Sequence, residues 1–294
     1  MLTIKIMAPA PGTIQRLLID AATDIEAQQD LSYSSPKLEA RLLLEYVLNK
    51  NHAWLIAHAD KPITEAELSK FKHLLGERLR GKPIAYILGT QGFWNLQLKV
   101  SECTLIPRQD TESLIETVLD LSLPDNTRVL DLGTGTGAIA LALAQEHPKW
   151  QVTGVDRIAE AVALAKDNAR LNQLCVDFRQ SDWFSVFDDS HHASFDLIVS
   201  NPPYVAPDSE YLQQGDLRFE PLSALVAADE GFADIRHIIE HAKRFLRASG
   251  FLVFEHGHEQ SETIQTLLCE AGFTEVKSHL DYNDLPRVTL GRYT

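Results

Sequence analysis

From about Arg108 to the end of the chain, segments with the pattern of buried strands alternate with segments of helical periodicity. The predicted strands are 128–132, 151–156, 176–180, 195–200, 250–255, 274–279 and 287–291, and the helices between them include 138–146, 159–171, 233–246 and 261–271. This alternation predicts an α/β fold with a doubly wound parallel sheet. The link between the last two strands is too short for a parallel crossover, so the final strand is expected to run antiparallel.

The first part of the chain, to about Leu88, has a different pattern. Its apolar residues recur at helical spacing in short amphipathic segments, which predicts a small helical bundle. Ser35 followed by Pro36 predicts a helix start, and Thr64 with Glu67 predicts a capping box. Between the two parts, alternation over 94–100 predicts a strand, and a second short strand near Thr104 would complete a hairpin.

Residues 129–144, VLDLGTGTGAIALALA, combine a strand, a glycine-rich turn and the start of a helix. Gly133, Gly135 and Gly137 allow a tight turn and let a ligand approach the backbone closely. The next strand ends in Asp156, about 20 residues beyond the loop, where a carboxylate can accept both hydroxyls of a ribose. This order predicts a site for a nucleoside cofactor.

The glycine loop alone leaves two cofactors open. Read as G-x-G-x-x-A with Ala138, the loop fits the NAD pattern. Read as G-x-G-x-G after the acidic Asp131, it resembles S-adenosylmethionine-dependent methyltransferases. At the third strand end, Asp182 is placed to accept from an exocyclic amine and Trp183 to cover an adenine face.

The stretch SNPPYV, 200–205, follows the fourth predicted strand and opens into the same crevice as the glycine loop. Asn201 offers a side-chain carbonyl, and Pro202 offers a backbone carbonyl whose direction is fixed by Pro203. Two converging acceptors suit a planar –NH2 group, and Tyr204 adds a flat face against its plane. Such acceptors would stabilise the positive charge that builds on an amide or aryl nitrogen during alkylation.

These motifs together carry a resemblance to a known family. The NPPY stretch and GTGTG resemble methyltransferases that modify planar amide or amine nitrogens. With LIPRQDTESLIE, QSDWFS, LQQGDLRFEPLSALVAADEG and RVTLGRY, nearly the whole chain resembles the bacterial peptide chain release factor glutamine N5-methyltransferases, the HemK/PrmC family. Gln109 departs from the family pattern, which often has proline there, and the residues before about Met7 extend beyond the usual start.

The resemblance implies an N-terminal helical, substrate-docking domain at 1–88, a β-hairpin linker at 89–106 and a methyltransferase domain at 107–294. That domain would have a seven-stranded, Rossmann-like class I methyltransferase sheet with the last strand antiparallel. The implied substrate is the glutamine of the GGQ motif in class-I peptide release factors, and the implied cofactor is S-adenosyl-L-methionine. The residues implied for the cofactor are Gly133, Thr134, Gly135, Thr136, Gly137, Asp156, Asp182, Trp183 and Asn201. Those implied for the glutamine are Asn201, Pro202, Pro203 and Tyr204, with Asn201, Pro202 and Tyr204 catalytic.

A DNA adenine-N6 methyltransferase is the alternative within the same chemistry, because the NPPY turn suits an adenine amine equally well. The formal net charge of -14 and the lack of a plausible target-recognition domain disfavour it. A nicotinamide-dependent oxidoreductase would leave the NPPY turn without a role. A non-catalytic translation-binding protein would not need the acceptor turn.

Composition and targeting signals predict a cytoplasmic enzyme that binds neither nucleic acid directly nor a membrane, and we expect the enzyme to be a monomer. The three cysteines, Cys103, Cys175 and Cys269, lack the spacing of a disulfide framework or a zinc site. Neither a signal peptide nor a membrane-spanning run is predicted. His256 and His258 lack a ligand pattern and are expected to be loop residues, so no metal is expected.

Overall fold

The computed structural model describes residues 10–28 and 35–294 of the chain. Contacts divide it into two compact units. One unit extends to Gly89 and also includes Glu210–Phe219; we call it the helical unit. The other, the sheet unit, comprises Thr90–Ser209 and Glu220–Thr294. The expectation for the residues before Met7 lies outside the described part of the chain.

The helical unit consists of short amphipathic helices that bury one face each. Their bounds are α1 Ile14–Glu26, α2 Pro36–Leu48, α3 His52–Ala57, α4 Glu65–Leu79 and α5 Ile84–Leu88. Ile25, Leu43, Leu44 and Phe71 are buried in the common core of this unit. The helical bundle predicted from the sequence is therefore confirmed.

Local sequence signals set the helix starts. Thr64 and the side chain of Glu67 satisfy each other's backbone N–H groups at the start of α4, which confirms the predicted capping box. Pro36 is the first residue of α2, as predicted, although the side chain of Ser35 makes no capping hydrogen bond. Proline is tolerated there because the first N–H groups of a helix have no partner within the helix.

A buried ion cluster joins the segment Glu210–Phe219 to the helices of its unit. Arg78 Nε donates to Glu39 Oε2 at 2.9 Å, and Arg78 Nη1 donates to Asp216 Oδ1 at 3.0 Å. Arg78 Nη1 also donates to the carbonyls of Gly81 and Lys82 at 3.3 and 3.1 Å. Burial works against the charge on Arg78, but the two carboxylates more than compensate and raise its pKa above the ordinary value.

A β-hairpin opens the sheet unit. It pairs β1, Thr90–Phe93, with β2, Leu96–Lys99, in antiparallel register. The strand predicted near Thr104 was wrong, because Thr104 lies in a turn and its N–H donates to the carbonyl of Ser101. The partner of β2 precedes it in the chain and was missed, since TQGF lacks a run of strand-forming residues.

The remaining strands form one sheet of seven. In chain order they are β3 Arg128–Leu132, β4 Gln151–Asp156, β5 Asp177–Gln180, β6 Phe195–Ser200, β7 Leu246–Glu255, β8 Thr274–Leu280 and β9 Pro286–Arg292. Their spatial order is β5-β4-β3-β6-β7-β9-β8. Strands β3 to β7 pair in parallel, and β9 runs antiparallel to both β7 and β8, which confirms the predicted final strand.

Helices cover both faces of the sheet, as expected because its central strands, such as β3 and β6, are buried on both faces. The helices of this unit are α6 Glu112–Leu119, α7 Ala138–Glu146, α8 Ala159–Leu171, α9 Leu222–Leu225, α10 Ala233–Phe245 and α11 Ser261–Glu270. One core contains α6, α7 and α8, and the other contains α10 and α11. No helix within 10–28 and 35–294 is both long enough and apolar enough to span a membrane.

One boundary differs from the sequence prediction for a clear reason. Leu246 was predicted to end a helix but begins β7, where it pairs with Phe195 before a shift in register. Leu246 is buried in the core, so its apolar character fits either element. Periodicity alone does not separate a short strand from a helix end.

Candidate active site

The site lies at the carboxyl ends of β3, β4, β5 and β6. The chain reverses direction across the sheet between β3 and β6, because β4 and β5 lie on one side of β3 while β6 and β7 lie on the other. Open α/β sheets bind ligands outside the strand ends at such a switch point. The glycine loop, Asp156, Trp183 and the NPPY turn all follow strands that end there.

The glycine loop, residues 133–137, turns from β3 into α7 with a backbone that favours glycine. Gly133 and Gly135 have φ angles of 70° and 54°. A Cβ at Gly133 would lie 3.5 Å from the indole of Trp183, so the ring covers this turn. The close contact leaves the loop backbone and the indole on one wall of a cavity.

Two aspartates fix the loop from behind. Asp131 is fully buried and accepts from Thr134 Oγ1 at 2.6 Å, and burial raises the pKa of its carboxyl to about 7. Asp156 Oδ2 accepts from the N–H of Gly135 and Oδ1 from that of Ile158, both at 2.9 Å. Burial raises the pKa of Asp156, although these two hydrogen bonds favour its ionised form.

The cavity brings together most of the cofactor residues implied by the sequence. Those that line it are Gly133, Thr134, Gly135, Thr136, Asp156, Asp182, Trp183 and Asn201. Gly137 is not among them. A Cβ there would lie 3.0 Å from the ring of Phe178 and 3.2 Å from Leu141, so this glycine allows close packing between α7 and the sheet.

The NPPY turn is braced on several sides. Ser200 Oγ donates to the carbonyl of Leu132 at 2.8 Å, which ties the end of β6 to the end of β3. Gln260 Nε2 donates to the Tyr204 carbonyl at 3.1 Å. The N–H of Val205 donates to the carbonyl of Leu225, and the Val205 carbonyl accepts from the N–H of Ala227. Asn201 and Pro203 line the cavity, whereas Pro202 is buried and Tyr204 is half-buried.

Behind the turn lies a group of polar side chains that sequence reasoning missed. Asn201 Nδ2 donates to Thr111 Oγ1 at 3.3 Å, and Tyr204 Oη donates to Glu255 Oε1 at 3.5 Å. Burial raises the pKa of Tyr204, so its hydroxyl stays protonated. The one available signal was that Glu255 ends a strand beside the NPPY strand, at the edge where such sheets bind ligands.

One further acidic side chain lines the cavity, and another connects two loops of the sheet unit. Asp234, at the start of α10, lines it near Asp182 and Trp183, and burial raises its pKa. Glu220 is buried, accepts from the N–H of Ile106 at 3.1 Å and forms an ion pair with Arg108. Glu220 therefore connects the segment around residues 218–221 to the segment around residues 106–108.

The histidines of FEHGHEQ are placed without a metal-binding arrangement. His256 follows β7 as a fully buried loop residue, with Nε2 2.7 Å from Thr289 Oγ1 and Nδ1 2.8 Å from the Gly257 carbonyl. Burial lowers the pKa of His256 to about 4, so the ring is neutral. Across residues 10–28 and 35–294, the structure brings no three potential metal ligands of the His, Cys, Asp or Glu type together.

Family models match both parts of the chain. A methyltransferase domain model matches residues 123–284, and a PrmC N-terminal domain model matches residues 18–89. The solved structure of a methyltransferase from Pyrococcus furiosus has a TM-score of 0.51 with 17% sequence identity, covering 75% of this chain and 98% of that chain. This likeness establishes the methyltransferase fold.

Full-length relatives are more similar in sequence. A release factor glutamine methyltransferase of Haemophilus influenzae is 48% identical over 90% of this chain and 96% of its own length. The protein of the same name from Vibrio cholerae is 49% identical over 94% of this chain and 95% of its own. That of Escherichia coli is 45% identical over 95% and 98%. Identity at this level over nearly the whole length shows that the chain belongs to the release factor glutamine methyltransferase family.

Proposed function

We propose that this chain transfers a methyl group from S-adenosyl-L-methionine to the side-chain amide nitrogen, N5, of the glutamine in the GGQ motif of class-I peptide chain release factors. One observation carries the proposal. Asn201 and Pro203 of the NPPY turn line the same cavity as the glycine loop and Asp156. Residues proposed for the planar amide and residues proposed for the nucleoside therefore line the same cavity.

The described residues fit the proposed cofactor. The positive-φ turn at Gly133 and Gly135 leaves room for a ligand against the backbone, with the Trp183 ring on the same wall. Asp156 uses one lone pair of each oxygen on a backbone N–H, which leaves acceptor capacity for two ribose hydroxyls. Asp182 would accept from the adenine amine. The bound cofactor supplies an electrophilic methyl group on a sulfonium sulfur, and no metal is required.

The NPPY turn would bind and orient the glutamine amide. Asn201 Oδ1 and the Pro202 carbonyl would each accept one N–H of the amide, and Tyr204 would hold the amide plane. An amide nitrogen is a poor nucleophile because its lone pair is delocalised, and positive charge builds on it as it is alkylated. Oxygens already aimed at its hydrogens stabilise that charge without reorganisation. The N–H proton becomes acidic only after the methyl is attached, so no prior deprotonation is needed.

The remaining parts of the proposal concern partners and setting. The helical domain at 1–88 would dock the release factor, 89–106 would serve as a hairpin linker, and 107–294 would carry the chemistry. The match of residues 18–89 to an N-terminal domain model of this family supports the first assignment. We further propose a cytoplasmic monomer that engages neither nucleic acid nor a membrane. The relatives are named for release factors, and nothing in them supports the DNA adenine alternative.

Mass spectrometry of a class-I release factor after incubation with the chain and S-adenosylmethionine tests the proposal. One methyl group is expected on the GGQ glutamine and none on a release factor whose motif glutamine is changed to glutamate. Duplex DNA serves as a second substrate in parallel. Methyl transfer to DNA alone, or to the release factor outside this motif, would contradict the proposal.

A further inference from the structure

The orientation of the Asn201 side chain decides what the NPPY turn can bind. An asparagine amide presents either its oxygen or its nitrogen on one side, and the two ends have nearly the same shape. Only an exposed Oδ1 accepts from a substrate amide. The hydrogen-bond partners of Asn201 therefore determine whether the turn is a clamp for –NH2 or a donor that repels it.

Those partners are acceptors on the protein side of Asn201. Thr111 Oγ1 accepts from Asn201 Nδ2 at 3.3 Å. The carboxylate of Glu255, at the end of β7, is 1% exposed and accepts from Tyr204 Oη at 3.5 Å. Thr111 and Asn201 lie close enough to favour its charged form. Tyr204 thus contacts the buried carboxylate directly, while Glu255 Oε2 has no hydrogen-bond partner among the described residues and faces the group formed by the turn and Thr111.

We infer that Glu255 is a positioning residue for methyl transfer: with Thr111 it holds Asn201 Nδ2 inward, so that Oδ1 faces the substrate amide, and it fixes the Tyr204 hydroxyl. The inference rests on the proposed function. Asn201 donates to Thr111, and the Glu255 carboxylate, whose charge Thr111 and Asn201 favour, lies beside both. A buried negative charge on this side polarises the Asn201 amide, which makes Oδ1 a stronger acceptor.

The charge of Glu255 makes this device depend on pH. Burial raises its pKa to about 7, against the opposing effects of Thr111, Arg287 and Asn201. Below that pH one oxygen of the carboxyl becomes a hydroxyl donor, and the negative charge that favours donors from Tyr204, Thr111 and Asn201 is lost. The other charged or titratable groups that face this cluster are Arg287, Asp110, Arg108 and Tyr204. His256, the next residue in the chain, is neutral across the same range because burial lowers its pKa to about 4.

The test compares Glu255→Gln with Glu270→Gln, which changes an exposed glutamate at the end of α11. The turnover number kcat is measured with saturating cofactor and release factor on both sides of about pH 7. In the parent protein and in Glu270→Gln, kcat should fall by up to about tenfold per pH unit on the acid side and level off near the kcat of Glu255→Gln. In Glu255→Gln, kcat above pH 7 should be lower by about tenfold or more, the acid limb should be lost, and cofactor affinity should stay within about twofold.

A retained acid limb in Glu255→Gln, or an unchanged kcat, would overturn the inference. Asp131 also has a pKa of about 7, but it accepts a hydrogen bond from Thr134 of the glycine loop. Its titration should therefore change cofactor affinity and not kcat. If Glu255→Gln does not fold, Thr111→Val removes the acceptor of Asn201 Nδ2 and should lower kcat, whereas Thr111→Ser keeps that acceptor and should retain kcat. Equal kcat in Thr111→Val and the parent would also overturn the inference. A parent protein that transfers no methyl to release factors would reject the proposed function itself.

Discussion

The backbone N–H of Gly135 donates a hydrogen bond to Asp156 Oδ2 at 2.9 Å, so the carboxylate at the end of β4 fixes the glycine loop that follows β3. Its other oxygen accepts from the N–H of Ile158. Asp156 therefore shapes the cavity wall before any ligand is present, and it can bind a ribose with its remaining lone pairs.

Asp156→Ala should weaken cofactor binding chiefly. Hydrogen bonds to a charged group contribute about 1.5–3 kcal/mol each, and about 1.4 kcal/mol corresponds to a factor of ten. We expect the dissociation constant for S-adenosylmethionine, measured by calorimetry, to rise by at least about 10- to 100-fold, which corresponds to the loss of one such hydrogen bond. Asp208→Ala, at an exposed aspartate, is the matched control. An unchanged dissociation constant would count against the ribose role.

Asn201→Ala should reduce kcat by a factor on the order of 10²–10³, by analogy with removal of one oxyanion-hole partner. The clamp acts on charge that develops during the reaction, so cofactor affinity should change much less. Single-turnover methylation of a release factor measures the effect. Asn283→Ala, in the exposed turn between β8 and β9, should retain parental turnover. Near-normal kcat in Asn201→Ala would refute the clamp.

Gly154→Ala should destabilise the sheet unit and displace Thr134 of the glycine loop. A Cβ at this position in β4 would lie 2.6 Å from the Phe178 ring and 2.8 Å from Thr134 Oγ1. Overpacking of this kind lowers the free energy of unfolding by about 1–3 kcal/mol. Gly92→Ala is the control, because a Cβ there meets no atom within 4 Å. Equal melting temperatures for the two variants would contradict the expectation.

Arg78→Met should destabilise the helical unit by about 3–5 kcal/mol, because Glu39 would be left nearly buried without its partner. Asp216 would lose the same partner, so the segment Glu210–Phe219 should be cleaved faster by proteolysis. Glu-C is a suitable protease because it cleaves after glutamate, and the loss of an arginine does not change its sites. Arg80→Met removes an arginine whose side chain is 67% exposed and should have little effect. Identical cleavage rates in the two variants would show that the ion cluster does not hold the segment.

The buried Asp131 should make stability fall as pH rises. Its pKa in the fold is about 7 against an ordinary value of 3.8, so between these values the folded state binds more protons than the unfolded state. Stability is then lost progressively as pH increases from about 4 to about 7. Asp131→Asn should make this fall shallower in melting curves, whereas Asp208→Asn should follow the parent. Parallel curves for Asp131→Asn and the parent would be inconsistent with a shifted Asp131.

Much of the sheet and the cavity could be predicted from local sequence, since strands such as Phe195–Ser200 are mainly apolar runs and the motifs follow their ends. The antiparallel β9 followed from a short connection. The role of Gly137 in packing was not predictable, because the loop pattern does not distinguish a glycine that faces the ligand from one that faces Phe178.

Contacts distant in sequence account for what was missed. Glu255 and Thr111 are 144 positions apart in the numbering and come together only because α6, which Thr111 precedes, packs against β7. Arg78 and Asp216 are separated by 138 positions, and the sequence around neither residue predicts that the two form an ion pair. Periodicity reports which face of an element is apolar, but not which polar side chains will share a buried site.

Because Glu210–Phe219 belongs to the helical unit while Ser209 and Glu220 belong to the sheet unit, the two units are not consecutive pieces of chain. Deletion of the first 89 residues would remove Arg78, which pairs with Asp216 of that segment, together with Glu39, which pairs with Arg78. The segment would then remain in the chain, shortly after the NPPY turn, without these partners. The helical unit therefore cannot be exchanged between homologues as one continuous segment. A chimaera would have to include both the residues up to Gly89 and Glu210–Phe219 from the same protein.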